Sequence, residues 1–270
     1  MKTQLRLNSV VPHGVGSGPE SGAIDLIYFF LLHKFRQEHY SYIGINQIGK
    51  ELREFVMKES SKKIHCNIRY PVFEDFETKS IEEKNRIRLD VIHTALLRIA
   101  DYDEKLDKNK LEAIKNEILE KNFLFEFECK TYPSKKNKRL LGKVLVNPQI
   151  DKFDYYVLIE ENGIEKCRLK IYSAVTTLFY FPYFFRYGKW KNDTEFILKG
   201  TRREVEIHIL IDECSVIYKN LTPYDNPPTF QMFREDISKE QKEKANQDFL
   251  HSLPPSNAAI IRQSLRNASN

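Results

Sequence analysis

No apolar stretch in this sequence reaches the roughly 18 residues that a membrane-spanning helix requires, so no membrane association is expected. Closely spaced cysteines are also missing. Cys66, Cys129, Cys167 and Cys214 form no near pair, which excludes a C-x-x-C redox motif and a disulfide-dense scaffold and leads us to expect four reduced thiols. Charge of one sign is nearly absent: 43 basic against 38 acidic side chains leave +5 over 270 residues. That is far from the field of a dedicated DNA-coating protein. A secretory leader is not apparent, because the first strongly apolar run, residues 26–32, follows a glycine-rich loop and lies behind Asp25. A cytoplasmic location is expected. With 41% hydrophobic and 12% aromatic residues, wholesale disorder is excluded.

Along the chain, residues 5–11 read as a short strand, and Ile24, Leu26, Ile27, Phe30, Leu31 and Phe35 belong to a helix apolar nearly all round, the mark of a buried element. Asn46 caps an expected second helix with Ile48, Leu52, Phe55 and Val56 on one face, and residues 67–78 read as a loop. A third helix is expected over residues 80–100 and a fourth over 110–121, with Arg86 and Asp90 paired outside the third and Glu117 and Lys121 outside the fourth. From Phe123 the period changes to two. Strands are expected at 123–130, 140–146, 155–160, 166–172, 195–198, 203–211 and 215–218, joined by short turns such as Glu161-Asn162-Gly163. Residues 221–236 read as an ordered linker. Ser238 with Gln241 opens a polar helix, and residues 257–266 read as a last helix or tail.

The expected fold is therefore α+β, with N-terminal helices packed on a C-terminal antiparallel sheet of about six strands and one or two C-terminal helices. The corresponding regions are 1–122 (helical), 123–236 (strands) and 237–270 (tail), or one domain throughout.

Candidate sites are few. Gly14, Gly16, Gly18 and Gly22 precede a helix, where backbone N–H groups can meet phosphate. The P-loop lysine and hydroxyl and the G-x-G-x-x-G spacing are both missing, so an entrance loop is expected. His33, Glu38 and His39 lack the H-E-x-x-H spacing and His65-Cys66 is an isolated pair, so no metal and no cofactor is assigned. The R-x4-H spacing of Arg88 and His93 resembles that of the HEPN ribonucleases, in which the pair acts on the RNA phosphodiester; about one such match is expected by chance in this composition. Asp90, on a neighbouring helical face, would orient His93 as a general base. Lys130, Lys135, Lys136, Lys138, Arg139 and Lys143 form a basic stretch without an acidic residue, mostly in a hairpin loop. Phe179, Tyr180, Phe181, Tyr183, Phe184, Phe185, Tyr187 and Trp190 pack eight aromatics into twelve residues, with Arg186 and Lys189 among them. Such side chains serve as binding anchors or as the seam of a core.

These features favour a non-enzymatic intracellular binding protein of inhibitor, immunity or adaptor type. It would recognise one protein partner through Lys135, Lys136, Lys138, Arg139, Tyr183, Arg186, Tyr187 and Trp190. The alternative is a nucleic-acid-binding or RNA-processing protein using the same basic loop, with Arg88, Asp90 and His93 as its catalytic residues.

Overall fold

The computed structural model describes residues 4–9, 22–71, 74–149, 151–176, 181–225 and 227–252. Among them it contains three four-stranded sheets and six helices, and the helices are distributed along the chain. The expected single sheet of about six strands beneath an N-terminal helical group is thereby corrected. Two compact units emerge: residues 1–127 with 147–153 and 176–179, and residues 128–146, 154–175 and 180–270.

The first unit contains β1 (Gln4–Ser9), α1 (Gly22–Lys34), β2 (Tyr42–Ile48), β3 (Phe55–Ser60), β4 (Lys63–Arg69), α2 (Ile81–Tyr102) and α3 (Lys108–Glu120). Its sheet runs β1-β2-β4-β3. The β1/β2 and β2/β4 pairs are parallel and β3/β4 is antiparallel. Ile43 and Ile45 of β2 and Ile64, Cys66 and Ile68 of β4 are fully buried in one core with Ile24, Ile27 and Leu31 of α1 and Leu89, Ile92 and Leu96 of α2. On the other sheet face, Asn8 donates to Asn46 at 3.3 Å and Asn46 donates to Asn67 at 2.9 Å, in register across three strands.

The helix expected after Asn46 is instead the end of β2, a turn and the start of β3. Its apparent helical face included Leu52 and Phe55, which are 41% and 42% exposed. Period-two burial of the isoleucines flanking Gly44 wins over the i, i+4 coincidence. The expected loop at 67–78 begins inside β4 for the same reason.

The longer helices carry the caps their sequences encode. Ser80 Oγ accepts from Glu83 N while Ser80 N donates to Glu83 Oε2 at 2.9 Å, a capping box. Arg86 pairs with Glu82 rather than Asp90, which binds Lys115. Glu117 and Lys121 pair as expected at 2.8 Å. Asn122 and Phe123 then take left-handed φ of 46° and 61°, so the following strand begins at Phe127 rather than at Phe123.

Asp25, in the first turn of α1, accepts from Leu7 N at 3.2 Å, while its Oδ1 is shielded and has no partner among the described residues. Burial raises its pKa to about 8, against the lowering effects of the Leu7 amide, Arg6 and Arg88. The unfolded carboxyl ionises near pH 4, so between that pH and 8 the folded state holds the extra proton, and stability falls as pH rises. Asp25→Asn is expected to raise stability by an amount that grows by about 1.4 kcal/mol per pH unit between pH 5 and pH 7 and levels off near pH 8. Thermal melts across that range check it; a pH-independent difference contradicts it.

The second unit holds most of β5 (Phe127–Pro133), β6 (Leu140–Pro148), β7 (Lys152–Glu161) and β8 (Ile164–Val175), which form a sheet in chain order. Asn162 and Gly163 join β7 to β8 with φ of 54° and 79°, the two positive values of a tight hairpin turn. After α4 (Phe181–Phe184), strands β9 (Tyr187–Trp190), β10 (Glu195–Lys199), β11 (Val205–Leu210) and β12 (Ser215–Asn220) form an antiparallel sheet. Helices α5 (Pro228–Met232) and α6 (Lys239–Ser252) follow. Ser238 and Gln241 make the expected reciprocal cap of α6. The helix or tail expected at 257–266 lies outside the described residues.

Cys167 of β8 and Cys214, in the turn after β11, form a disulfide with Cα atoms 5.4 Å apart. The expectation of four thiols is corrected: Cys66 and Cys129 are free. The partners are 47 residues apart in sequence and meet only because β8 and the β11–β12 turn belong to one unit. No helix among the described residues is long and apolar enough to cross a membrane.

Candidate functional site

The basic loop between β5 and β6 is held from below. Ser134 and Leu140 are buried, Ser134 N donates to Leu140 O at 3.0 Å, and Ser134 Oγ accepts from Asn137 N at 3.2 Å. Asn137 Oδ1 in turn accepts from Arg139 N at 3.2 Å. With its polar residues and backbone turned inward, the loop leaves Lys135, Lys136, Lys138 and Arg139 exposed.

The aromatic run divides. Phe181, Phe184 and Phe185 are buried. Phe184 and Phe185 pack on Tyr172 with ring centroids 5.4 and 5.8 Å away, so this part of the run is core. Trp190 is half-buried, 5.1 Å from the Phe196 ring, and its indole N–H donates to Tyr132 O at 2.8 Å. Tyr183 is half-buried beneath the Arg202 guanidinium at 5.4 Å. Tyr187 is 50% exposed, with Arg186 5.8 Å from its ring centre. Along β9 the exposed positions alternate, so Tyr187 and Lys189 face solvent while Gly188 and Trp190 face inward. Phe179 and Tyr180 lie outside the described residues.

Loop and aromatic segment are more than 40 residues apart in sequence, yet side chains of β5 bring them together. Tyr132 OH donates a hydrogen bond shared between Phe185 O at 2.7 Å and Arg186 O at 3.0 Å, and Lys130 Nζ donates to Arg186 O at 3.2 Å. Burial pushes the Tyr132 phenol up, so it remains a neutral donor. A Cβ on Gly188 would lie 2.5 Å from the Tyr132 ring; glycine is what lets that ring cross β9. At the far end, Asn137 Nδ2 donates to Asp193 Oδ2 at 3.0 Å and ties the loop to the β9–β10 turn.

A third basic element joins this surface. Thr201 N donates to Pro182 O and Arg202 N to Tyr183 O, each at 3.2 Å. A Cβ on Gly200 would lie 1.7 Å from Tyr183 O, so glycine is required for this approach. Arg202 and Arg203 are exposed beside the aromatic segment. Sequence reasoning missed both, although the Gly200-Thr201 turn before them marked a loop tip.

Charge on this surface is unbalanced locally. None of Lys135, Lys136, Lys138, Arg139, Arg186, Lys189, Arg202 and Arg203 has an ion pair among the described residues. Of the carboxylates around it, Glu160 is paired with Lys143, Glu161 with Lys166, and Glu195 with Lys191 and His208, while Asp193, which accepts from Asn137, has no ion pair among the described residues and is the one anion left beside the loop. The Lys191 and His208 contacts hold the Glu195 carboxyl below its usual range, so it stays ionised and paired.

The alternative catalytic residues are not assembled. His93 is buried on α2, with Tyr28 OH 3.4 Å from Nδ1 and Glu112 Oε1 2.9 Å from Nε2, so both ring nitrogens are occupied. Asp90 binds Lys115 at 2.7 Å instead. Arg88 is 1% exposed, its guanidinium 5.2 Å from the Phe76 ring centre. His33, Glu38 and His39 line an open surface cavity of about 540 Å³ with Lys34 and Arg36, and His33 Nδ1 lies 2.7 Å from Glu38 Oε1. Among the described residues, no three His, Cys, Asp or Glu side chains are arranged to hold a metal ion. Of the glycine-rich loop only Gly22 is described, as the first residue of α1.

No protein-family model, curated protein or solved structure matches the chain.

Proposed function

We propose that the protein is a non-enzymatic binding module that engages an anionic macromolecule through the surface formed by residues 135–139, 186–190 and 202–203. The observation that carries this reading is the bonded juxtaposition of three basic segments whose eight cations have no ion pair among the described residues. Cations arranged in this way release counterions from a polyanion and steer its approach. Burial of Phe181, Phe184 and Phe185 takes three of the eight aromatics out of a partner's reach, which raises the share that charge contributes. An acidic protein bound stoichiometrically here would make the role one of inhibitor, immunity or adaptor type. The Cys167–Cys214 disulfide supports a working environment in which thiols are oxidised. Affinity for heparin, a linear polyanion, tests the reading. Retention at low salt with release as salt rises is expected, and no retention at low salt overturns it.

A further inference from the structure

We infer that the macromolecule engaged by this surface is a single-stranded nucleic acid, a base stacking on Tyr187 while its phosphates meet the flanking cations. This rests on the binding reading above and names its partner.

In the ladder of β9 with β10, Tyr187 lies opposite Lys199 and Trp190 opposite Phe196. The Tyr187 end of the strand therefore adjoins the turn that carries Arg202 and Arg203, and the Trp190 end adjoins the Asn137–Asp193 link to the lysine loop. Two cationic clusters thus flank a strand spanning on the order of 10 Å, and the residues it turns to solvent are Tyr187 and Lys189. Positive charge on both sides of a ring is a track for a phosphodiester backbone that passes over an aromatic step.

Tyr187 has an arginine beside it, Arg186 at 5.8 Å from its ring centroid, whereas Tyr183 is half-buried beneath Arg202 and serves to hold that guanidinium at the surface. A ring beside a guanidinium offers a π face and a cation together, a combination that stacks any base. An acidic protein surface needs only the cations and gains little from a ring 50% exposed among them. A duplex keeps its base faces inside its own stack, so it can use the cations but not Tyr187. Trp190 contributes differently. Its indole is bonded to Tyr132 O on the inner face, so it frames the strand and is not a stacking residue.

The test measures fluorescence anisotropy of a labelled oligothymidylate, a labelled duplex and labelled heparin on the full chain, with polyglutamate as a model acidic chain. The single strand is expected to bind more tightly than the duplex. Tyr187→Ala is expected to weaken the single strand about 10-fold and leave heparin unchanged, while Tyr187→Phe restores the affinity because it keeps the ring. If Tyr187→Ala leaves oligothymidylate unaffected, or weakens heparin equally, the stacking inference is overturned while the surface reading stands. Binding of polyglutamate without oligothymidylate identifies an acidic protein as the partner and likewise overturns it. Should the combined charge reversal of residues 135, 136, 138 and 139 change no affinity, the surface itself is wrong.

Discussion

The combined substitution Lys135→Glu, Lys136→Glu, Lys138→Glu and Arg139→Glu is expected to lower heparin affinity by at least about 100-fold at low salt and to flatten its salt dependence. Four cations that release counterions disappear, and four anions take their place facing the ligand. The fold should tolerate this, because all four side chains are exposed and none has an ion pair among the described residues. The loop's shape comes from Ser134, Asn137 and Leu140, which are unchanged. A melting temperature within about 2 °C of wild type is expected, as for surface substitutions generally. Equal heparin affinity in a folded variant would place the binding surface elsewhere.

Cys167→Ser combined with Cys214→Ser is expected to destabilise the second unit by about 4 kcal/mol, the chain-entropy cost of opening a cross-link over a loop of this length. For a unit of this size that corresponds to a fall in melting temperature on the order of 10 °C. Cys214 is exposed in its turn, so a small thiol reductant should reproduce the double substitution. Thiol titration of the denatured, unreduced protein gives the companion result: two reactive thiols, Cys66 and Cys129, rather than four. Four thiols together with a reductant-insensitive melt would contradict the cross-link.

What could be read from sequence followed the range of the interaction concerned. Helices α1, α2 and α3 were legible because their apolar spacing is local, as were the reciprocal cap of Ser238 and the Asn162-Gly163 turn. The alternation of Val205, Ile207 and Ile209 in β11 was equally plain, and those residues are buried. Residues 42–69 were not legible as strands. The parallel pairings of β2 with β1 and β4 are made by residues far apart in the chain, and Ile48, Leu52, Phe55 and Val56 imitate a helical face by coincidence. The left-handed pair Asn122 and Phe123 displaced the start of β5 because nothing in a period-two pattern reports φ.

The site was half legible for the same reason. Local composition identified the basic loop and the aromatic run separately, but not that Tyr132, Lys130 and Asn137 bond one to the other across more than 50 residues. Nor does composition say which aromatics turn inward. Phe184 and Phe185 go to the core, and Trp190, which reads as an anchor, is held by Tyr132 O and Phe196. The Arg88, Asp90 and His93 spacing was visible in sequence, whereas the contacts that occupy His93, from Tyr28 and Glu112, come from other helices.

Whether this surface holds the polyanion is read by lysine acetylation footprinting of the protein, free and saturated with heparin, resolved residue by residue by mass spectrometry. Strong protection of Lys135, Lys136, Lys138 and Lys189 is expected. Lys239, whose side chain is 89% exposed on α6, should keep its reactivity. Unchanged labelling of the four lysines on a protein that demonstrably holds the polyanion, or protection confined to lysines of the first unit such as Lys62 and Lys63, would contradict binding at this surface.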